Sequence, residues 1–212
     1  RSTASFIDRD TADGKVLVLP LDDYYQMPTT WGFSGVDSIA GLLLQHPVLQ
    51  RHPDGYFGDT PGLAAQIDAV ERALRSGDLA AAEPLLTTMG VRWIILRHDL
   101  VVGNPLRTFA DPATLRAPLD AVPSLELIQE GTLDVYRFDG ATDTVRVESA
   151  PLEVPGEPDA LADAVASLPA GQSVTGAEED YTITAADTAE NGEGRSAADG
   201  VWWPVPAVAE GE

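Results

Sequence analysis

The chain has 212 residues, which is long enough for one well-formed core or for one core with a small annex. Its formal net charge of −21 makes nucleic acids and anionic membrane surfaces poor partners, because both need clustered Lys and Arg. The absence of cysteine excludes disulfides and cysteine nucleophiles, and no apolar run approaches the ~20 residues of a membrane span. We expect the fragment as given to be soluble, and its opening without methionine is typical of an excised piece.

The acidic charge is concentrated in the last third of the chain. Residues 1–140 carry 19 acidic and 11 basic groups, whereas residues 141–212 carry 15 acidic and 2 basic groups. A cluster of turn-forming residues, FDGATD, separates the two parts. We predict an α/β domain over residues 1–140, a small acidic β-α-β annex over 141–190, and a flexible tail or linker over 191–212.

The first predicted element is a buried strand, KVLVLPL, over residues 15–21, preceded by the turn signal Asp13-Gly14. Its continuous Val and Leu content is typical of a strand covered on both faces, as in a parallel sheet. A long stretch of mixed character follows, and its middle, SGVDSIAGLLLQ, predicts a short helix.

Two helices and a second buried strand come next. Apolar residues on one face predict the first helix: Leu63, Ile67, Val70 and Leu74. Asp78 is placed to cap a second helix, LAAAEPLLTTM, which Gly90 closes before the apolar strand VRWIIL. Strand, helices and strand form a crossover unit, and such units are right-handed almost without exception.

A β-hairpin is predicted over LELIQEGTLDVYRF, where two alternating runs meet at Glu130-Gly131. In the annex, VRVESAPLEV predicts a strand, PDALADAVASL a helix and DYTITAAD a second strand. The predicted fold class is therefore α/β, a small Rossmann-like sandwich with a partly parallel sheet plus an antiparallel hairpin. A smaller β-α-β annex follows it.

Asp22 and Asp23 directly follow the first strand, at the carboxyl edge where open α/β sheets place their ligands. Two adjacent carboxylates at such an edge can hold a divalent cation or act as a base. The alternative is that Asp begins a loop because it caps turns and is well solvated. No DxD spacing accompanies the pair and no second acidic cluster clearly faces it, so the loop interpretation is favoured over a cation or base site.

Arg97, His98 and Asp99 follow the second strand. Because neighbours in a strand point to opposite faces, Arg97 and Asp99 share a face and His98 takes the other. A catalytic triad of three consecutive residues is therefore geometrically implausible, and the chain has no GxSxG nucleophile motif. A structural ion pair between Arg97 and Asp99 is the better interpretation.

The sequence predicts neither a metal site nor a cofactor. His46 and His52 each precede a proline, which excludes the regular helix that would bring paired ligands together. The glycines form neither GxGxxG nor GxxxxGK[ST], so dinucleotide binding and P-loop phosphate binding are not supported.

Aromatic residues gather in the long mixed stretch: Tyr24, Tyr25, Trp31, Phe33, Tyr56 and Phe57. Exposed rings beside polar groups bind sugars by covering the apolar faces of a carbohydrate. The alternative, which the loop length favours, is that these rings pack the loop against the sheet. The carbohydrate hypothesis assigns six residues to the site: Asp22, Asp23, Tyr24, Tyr25, Trp31 and Tyr56.

The succession of these features resembles a known family. VLVLPL, the aromatic-rich loop, LAAQIDAVERALRSGDLAAAEPLLTTMGVRWIILRHDL and LELIQEGTLDVYRF occur in order, and PLEVPGEPDALADAV follows. This order, over about residues 15–170, is similar to the extracytoplasmic soluble segment of large actinobacterial multispanning membrane glycosyltransferases. The likeness is to the arabinofuranosyltransferase D-like type of the GT-C-like superfamily, whose phrase of glycine, Val-Arg-aromatic, three apolar residues and Arg-x-Asp matches Gly90 to Asp99.

The resemblance implies a role and not a catalytic residue. The catalytic acidic residues of the family are expected in loops between membrane helices, so none is carried over to this chain. The resemblance implies a non-catalytic extracytoplasmic accessory domain of a membrane-anchored cell-envelope glycosyltransferase-like protein. Its expected partners are the transmembrane part of the same polypeptide and, as a candidate ligand, cell-envelope polysaccharide.

Two other hypotheses come from different classes of protein. The first is a purely structural or protein-interaction domain without a ligand. The second is a metal-dependent hydrolase that uses Asp22, Asp23 and Asp99.

Overall fold

The computed structural model describes residues 3–21, 27–32, 34–35, 39–51, 61–103, 109–141, 152–155, 158–167, 174–177 and 182–184. The helices within these ranges are α1 (Thr3–Ile7), α2 (Ile39–Leu43), α3 (Pro61–Ser76), α4 (Leu79–Thr88), α5 (Pro112–Ala121) and α6 (Pro158–Ala166). The strands are β1 (Lys15–Leu19), β2 (Met27–Pro28), β3 (Ser34–Gly35), β4 (Val48–Leu49), β5 (Val91–Arg97), β6 (Leu125–Gln129), β7 (Leu133–Phe138), β8 (Leu152–Pro155), β9 (Val174–Ala177) and β10 (Thr182–Thr184).

A five-stranded sheet, in the order β4-β1-β5-β7-β6, forms the centre of the molecule. β1 pairs in parallel with β4 and β5, whereas β7 pairs antiparallel with β5 and forms the predicted hairpin with β6. Every residue of β1 is buried, and Arg92 is the one residue of β5 that is not. The predicted α/β class, with a partly parallel sheet and an antiparallel hairpin, is confirmed.

On one side of the sheet, here called the helical face, residues of the sheet share one buried apolar cluster with residues of α3, α4, α5 and α6. Leu17, Ile94 and Tyr136 of the sheet meet fully buried leucines of three helices on this face: Leu74, Leu85, Leu86, Leu115 and Leu119. The buried residues of α6, Ala162 and Val165, belong to the same cluster. The helix predicted for the annex therefore packs on the first part of the chain, and the domain boundary near residue 140 remains a prediction.

The opposite side of the sheet, here called the thin face, has a smaller buried cluster: Ile7, Val16, Trp93, Ile95 and Val135. Phe6 of α1 packs edge-on against Trp93, with the ring centroids 5.9 Å apart. Leu44, directly after α2, packs against the same cluster. Within the described residues, α1 and α2 cover this face, and each has only five residues.

A second sheet has the strand order β10-β9-β8. β8 and β9 are parallel and α6 lies between them along the chain, so a β-α-β unit is present as predicted. The prediction was wrong about its second strand, because DYTITAAD corresponds to β10, which pairs antiparallel with β9. The sequence pattern missed β9, whose residues VTGA contain a glycine and lack an alternating apolar run.

The predicted ends of α4 are confirmed. Asp78 accepts a hydrogen bond from the Ala81 N–H at the start, and Gly90 follows the helix with a φ of +66°, a conformation that favours glycine. Two helices were not predicted, α1 and α5. Asp111 caps α5 and Pro112 begins it, but Pro118 lies inside the helix and obscures its pattern.

Candidate functional site

The candidate site lies on the thin face, where the carboxyl ends of β1 and β5 reach the same edge of the sheet. The segment around β2 crosses this edge antiparallel to the residues after β5. Thr30 N–H donates to the Asp99 carbonyl at 2.7 Å, and Val101 N–H donates to the Pro28 carbonyl at 3.0 Å. These backbone bonds bring Trp31 beside Asp99, although the two residues are 68 positions apart in the sequence.

Arg97, Asp99 and Trp31 form a connected polar group. The Arg97 guanidinium donates two hydrogen bonds to the Asp99 carboxylate, from Nε to Oδ1 and from Nη2 to Oδ2, each at 2.9 Å. The Trp31 indole Nε1–H donates to Oδ2 of the same carboxylate at 2.9 Å. Because Arg97 and Asp99 are both buried, this bidentate ion pair is shielded from solvent and holds the indole in one orientation.

The electrostatics of this group keep Asp99 ionised. Burial by itself would raise the pKa of Asp99, but hydrogen bonds from Arg97 and Trp31, with the positive charge of Arg97, lower it below its ordinary value. Asp99 is therefore a carboxylate at neutral pH, and both of its oxygens are already engaged by neighbouring donors.

A cavity of about 120 Å³ opens beside this polar group. Aliphatic side chains form most of its wall, and they come from β1, β5, β7 and both short helices or their ends: Ala4, Val18, Ala40, Leu43, Leu44, Ile95 and Leu133. Thr3, Trp31, Arg97 and Asp99 complete the lining. Trp31 is 57% exposed, so much of the residue is open to solvent while its indole Nε1–H is held by Asp99.

The helical face has a different polar group at the same end of β5. His98 Nε2 lies 2.7 Å from Oδ2 of the fully buried Asp134. Asp134 also accepts hydrogen bonds from the Gly131 N–H and from Arg116 of α5, each at 2.8 Å. Burial alone would raise the pKa of Asp134, but the bonds from Gly131 and His98 and the charge of Arg116 lower it. No local sequence pattern indicated this group, because its members lie on three separate elements.

The carboxyl end of β1 is anchored by a buried glutamate. Oε2 of Glu71, on α3, accepts a hydrogen bond from the Leu21 N–H at 2.7 Å. Burial raises the pKa of Glu71, while this backbone hydrogen bond opposes the rise. The contact holds the chain directly before Asp22 and Asp23.

The structure places some of the predicted site residues and not others. Trp31, Arg97 and Asp99 are brought together in one site, and Arg97 and Asp99 form the same-face pair expected from strand alternation. The other candidates lie outside the described residues: Asp22, Asp23, Tyr24, Tyr25, Phe33, His52, Tyr56 and Phe57. His46 is described, and its ring nitrogens contact the backbone oxygens of Asp10 and Gly14 at 3.1 and 3.2 Å.

The described part of the chain has no group of three or more His, Asp or Glu side chains that could hold a metal ion. None of its helices combines the length and the apolar character that crossing a membrane requires.

Comparison with known proteins identifies the family. The family described as alpha-(1->3)-arabinofuranosyltransferase, N-terminal GT-C domain, matches residues 1–199. The chain belongs to this family. This match confirms the resemblance that the sequence showed in GVRWIILRHD and the neighbouring segments. Among curated proteins, none matches this chain.

The fold is similar to that of a domain in solved structures of the family. A cryo-EM structure of arabinofuranosyltransferase AftD from Mycobacteria covers 82% of this chain with a TM-score of 0.61 at 18% identity. Two structures of a single-residue mutant of that protein each cover 76% at 21% identity, with TM-scores of 0.57 and 0.54. The chain spans only about 15% of the length of these AftD chains.

Proposed function

We propose that this chain is a non-catalytic accessory domain of a membrane-anchored cell-envelope glycosyltransferase, that it lies on the extracytoplasmic face, and that it contacts polysaccharide through Trp31. Membership of the arabinofuranosyltransferase GT-C family supports the parent activity. The small share of the AftD chains that this chain spans supports an accessory role within a longer protein.

The accessible indole of Trp31 is the observation that carries the glycan contact. A sugar ring presents apolar C–H groups on one face, and an exposed aromatic ring stacks on that face without competing for its hydroxyl groups. The Asp99–Arg97 ion pair holds the indole before any ligand arrives, which lowers the conformational entropy lost on binding.

The same geometry supports a non-catalytic role for Asp99. Its carboxylate is bound by a guanidinium and an indole N–H, and a cation would have to displace or face the Arg97 charge. The metal-dependent hydrolase hypothesis would need Asp99 to join Asp22 and Asp23 around a metal ion. That alternative predicts a chelator-sensitive rise in melting temperature with divalent cations, which Asp23→Asn would abolish.

Saturation-transfer NMR with arabinan and mannan oligomers tests the glycan contact. We expect transfer from the protein to one of these oligomers, a roughly tenfold weaker affinity in Trp31→Ala, and a smaller loss in Trp31→Phe, which keeps an aromatic face. Leu42→Ala is the matched control, because Leu42 is exposed nearby but does not line the cavity. Transfer that is absent from the wild type, or unchanged in Trp31→Ala, would contradict the proposal.

A further inference from the structure

We propose that the cavity on the thin face receives a short aliphatic group carried by the sugar that stacks on Trp31. The ligand class is an uncharged glycoside or glycan whose sugar bears an alkyl or acyl group of about five carbons. This inference deepens the proposed function and rests on it, because the sugar itself is taken to contact Trp31.

The wall of the cavity suits a hydrocarbon better than a hydroxyl-bearing ring. Of the eleven described residues that line it, seven are aliphatic, and Val18, Ile95 and Leu133 come from three adjacent strands. The charged members, Arg97 and Asp99, are bonded to each other in the bidentate ion pair. A sugar hydroxyl inside the cavity would exchange its hydrogen bonds with water for contact with carbon atoms, whereas an aliphatic group has no such bonds to lose.

The volume of the cavity sets the length of the group. At about 120 Å³ it is somewhat smaller than an apolar cavity of ~150 Å³, which accommodates the six carbons of benzene. A chain of about five carbons therefore fills the cavity, a methyl group leaves most of it empty, and a longer chain extends into solvent.

The two short helices that wall the cavity are each tied to a neighbouring segment. Gln129 Nε2, on β6, donates to Thr3 Oγ1 at 3.0 Å and joins α1 to the hairpin. The Gln45 N–H, directly after α2, donates to Asp8 Oδ1 at 2.9 Å and joins α2 to the segment that follows α1. The cavity is therefore formed before a ligand arrives, so little ordering of the wall opposes binding.

Trp31 links the cavity to the sugar. It lines the cavity, its Nε1–H is fixed on Asp99, and it is 57% exposed. A sugar stacked on the open part of the indole therefore presents its substituents at the mouth of the cavity. The net charge of −21 repels anionic amphiphiles such as fatty acids, which favours an aliphatic group on an uncharged sugar.

A series of n-alkyl arabinofuranosides tests the inference: the methyl, propyl, pentyl and octyl compounds, with n-pentanol as the chain without a sugar. Dissociation constants are measured by NMR titration of this chain, below the micelle concentration of the octyl compound. We expect the affinity to rise about two- to fourfold per carbon from methyl to pentyl, the upper value being that of a fully buried methylene group. From pentyl to octyl it should change little.

The same chain lengths attached as O-acyl esters of methyl arabinofuranoside form a second series. The series with the steeper dependence on chain length identifies whether the aliphatic group is carried as an alkyl glycoside or as an ester.

Variants of the cavity wall change the dependence on chain length. Ala40→Leu fills the cavity and should remove the gain from methyl to pentyl, whereas Ala80→Leu, the same change at an exposed position of α4, should keep it. Leu133→Ala enlarges the cavity and should move the plateau from pentyl towards octyl. Leu133 is only partly buried, so this second variant tests the cavity even where Ala40→Leu does not fold.

Three results would contradict one of the two proposals, and they are distinguishable. Flat affinities from methyl to pentyl in both series would overturn the aliphatic site and leave the glycan contact intact. A rise that continues to octyl and persists in Ala40→Leu would show unspecific adsorption of the chain and would also overturn it. Binding of n-pentanol as tight as that of pentyl arabinofuranoside would contradict the glycan contact and retain the cavity as an aliphatic site.

Discussion

The two faces of the central sheet differ in how they are covered. On the helical face, four helices bury a large apolar cluster that includes Ile94, Leu96 and Tyr136. On the thin face, two five-residue helices cover a cluster with Trp93 and Ile95, and a cavity remains beside it. Because the same strand supplies both clusters, the difference comes from the helices and not from β5. Apolar burial is therefore concentrated on the helical face, and the cavity lies on the thin face.

The polar groups after β5 follow the same division. Arg97 and Asp99 connect to Trp31 on the thin face, whereas His98 connects to Asp134 on the helical face. Both groups contain a buried carboxylate whose pKa is lowered by its donors. They differ in what surrounds them, since the first adjoins an accessible indole and a cavity and the second adjoins the helix α5.

The largest expected difference between the faces is in the cost of removing a core side chain. Ile94→Ala should lower the free energy of unfolding by about 4 kcal/mol, whereas Ile95→Ala should lower it by about 2 kcal/mol. Both residues are buried neighbours on β5, so both substitutions lose the same strand propensity. The expected costs differ because Ile95 already borders a cavity. Urea denaturation measures both values, and an equal or larger loss for Ile95→Ala would remove the contrast between the faces.

The next effect concerns the buried carboxylate of the helical face. Asp134→Asn should lower the free energy of unfolding by about 3 kcal/mol at neutral pH. This value is at the low end for a broken buried ion pair, because His98 and Arg116 are partly solvated. Folding lowers the pKa of Asp134. The ionised carboxylate therefore contributes its full stabilisation above the ordinary Asp pKa of about 3.9, and this stabilisation is lost as the pH falls through the lower pKa of the folded state. The stability gap between wild type and Asp134→Asn should therefore narrow below about pH 4. A gap that widens in acid would contradict this assignment.

The smallest effect on stability is expected at the indole of the thin face. Trp31→Phe removes the hydrogen bond to Asp99 but leaves an exposed ring, and it should cost about 1 kcal/mol or less. In denaturation curves a loss of several kcal/mol would mean that Trp31 is a core residue and not a binding residue.

Asp99→Asn and Asp134→Asn form a matched pair of variants for glycan binding. Binding should weaken only in the Asp99 variant.

Much of the fold could be predicted because its signals are local. The continuous apolar runs of β1 and β5, the alternation of the hairpin, and the Asp78 and Gly90 helix ends each follow from a few consecutive residues. The sequence missed α5 and β9 for the same reason. Pro118 interrupts the helical pattern, and VTGA has no apolar alternation, so these elements depend on tertiary packing and pairing.

The sequence by itself determined the α/β class and the division of Arg97, His98 and Asp99 between two faces, because strand alternation and apolar periodicity are properties of neighbouring residues. The family was indicated by the resemblance of GVRWIILRHD and its neighbouring segments to known members. Only the tertiary structure decided that Leu42 and Leu43 of α2 are exposed, that Trp31 meets Asp99 and that His98 meets Asp134. The two side-chain pairs join residues that are 68 and 36 positions apart. Chain topology creates such contacts, and no local pattern encodes them.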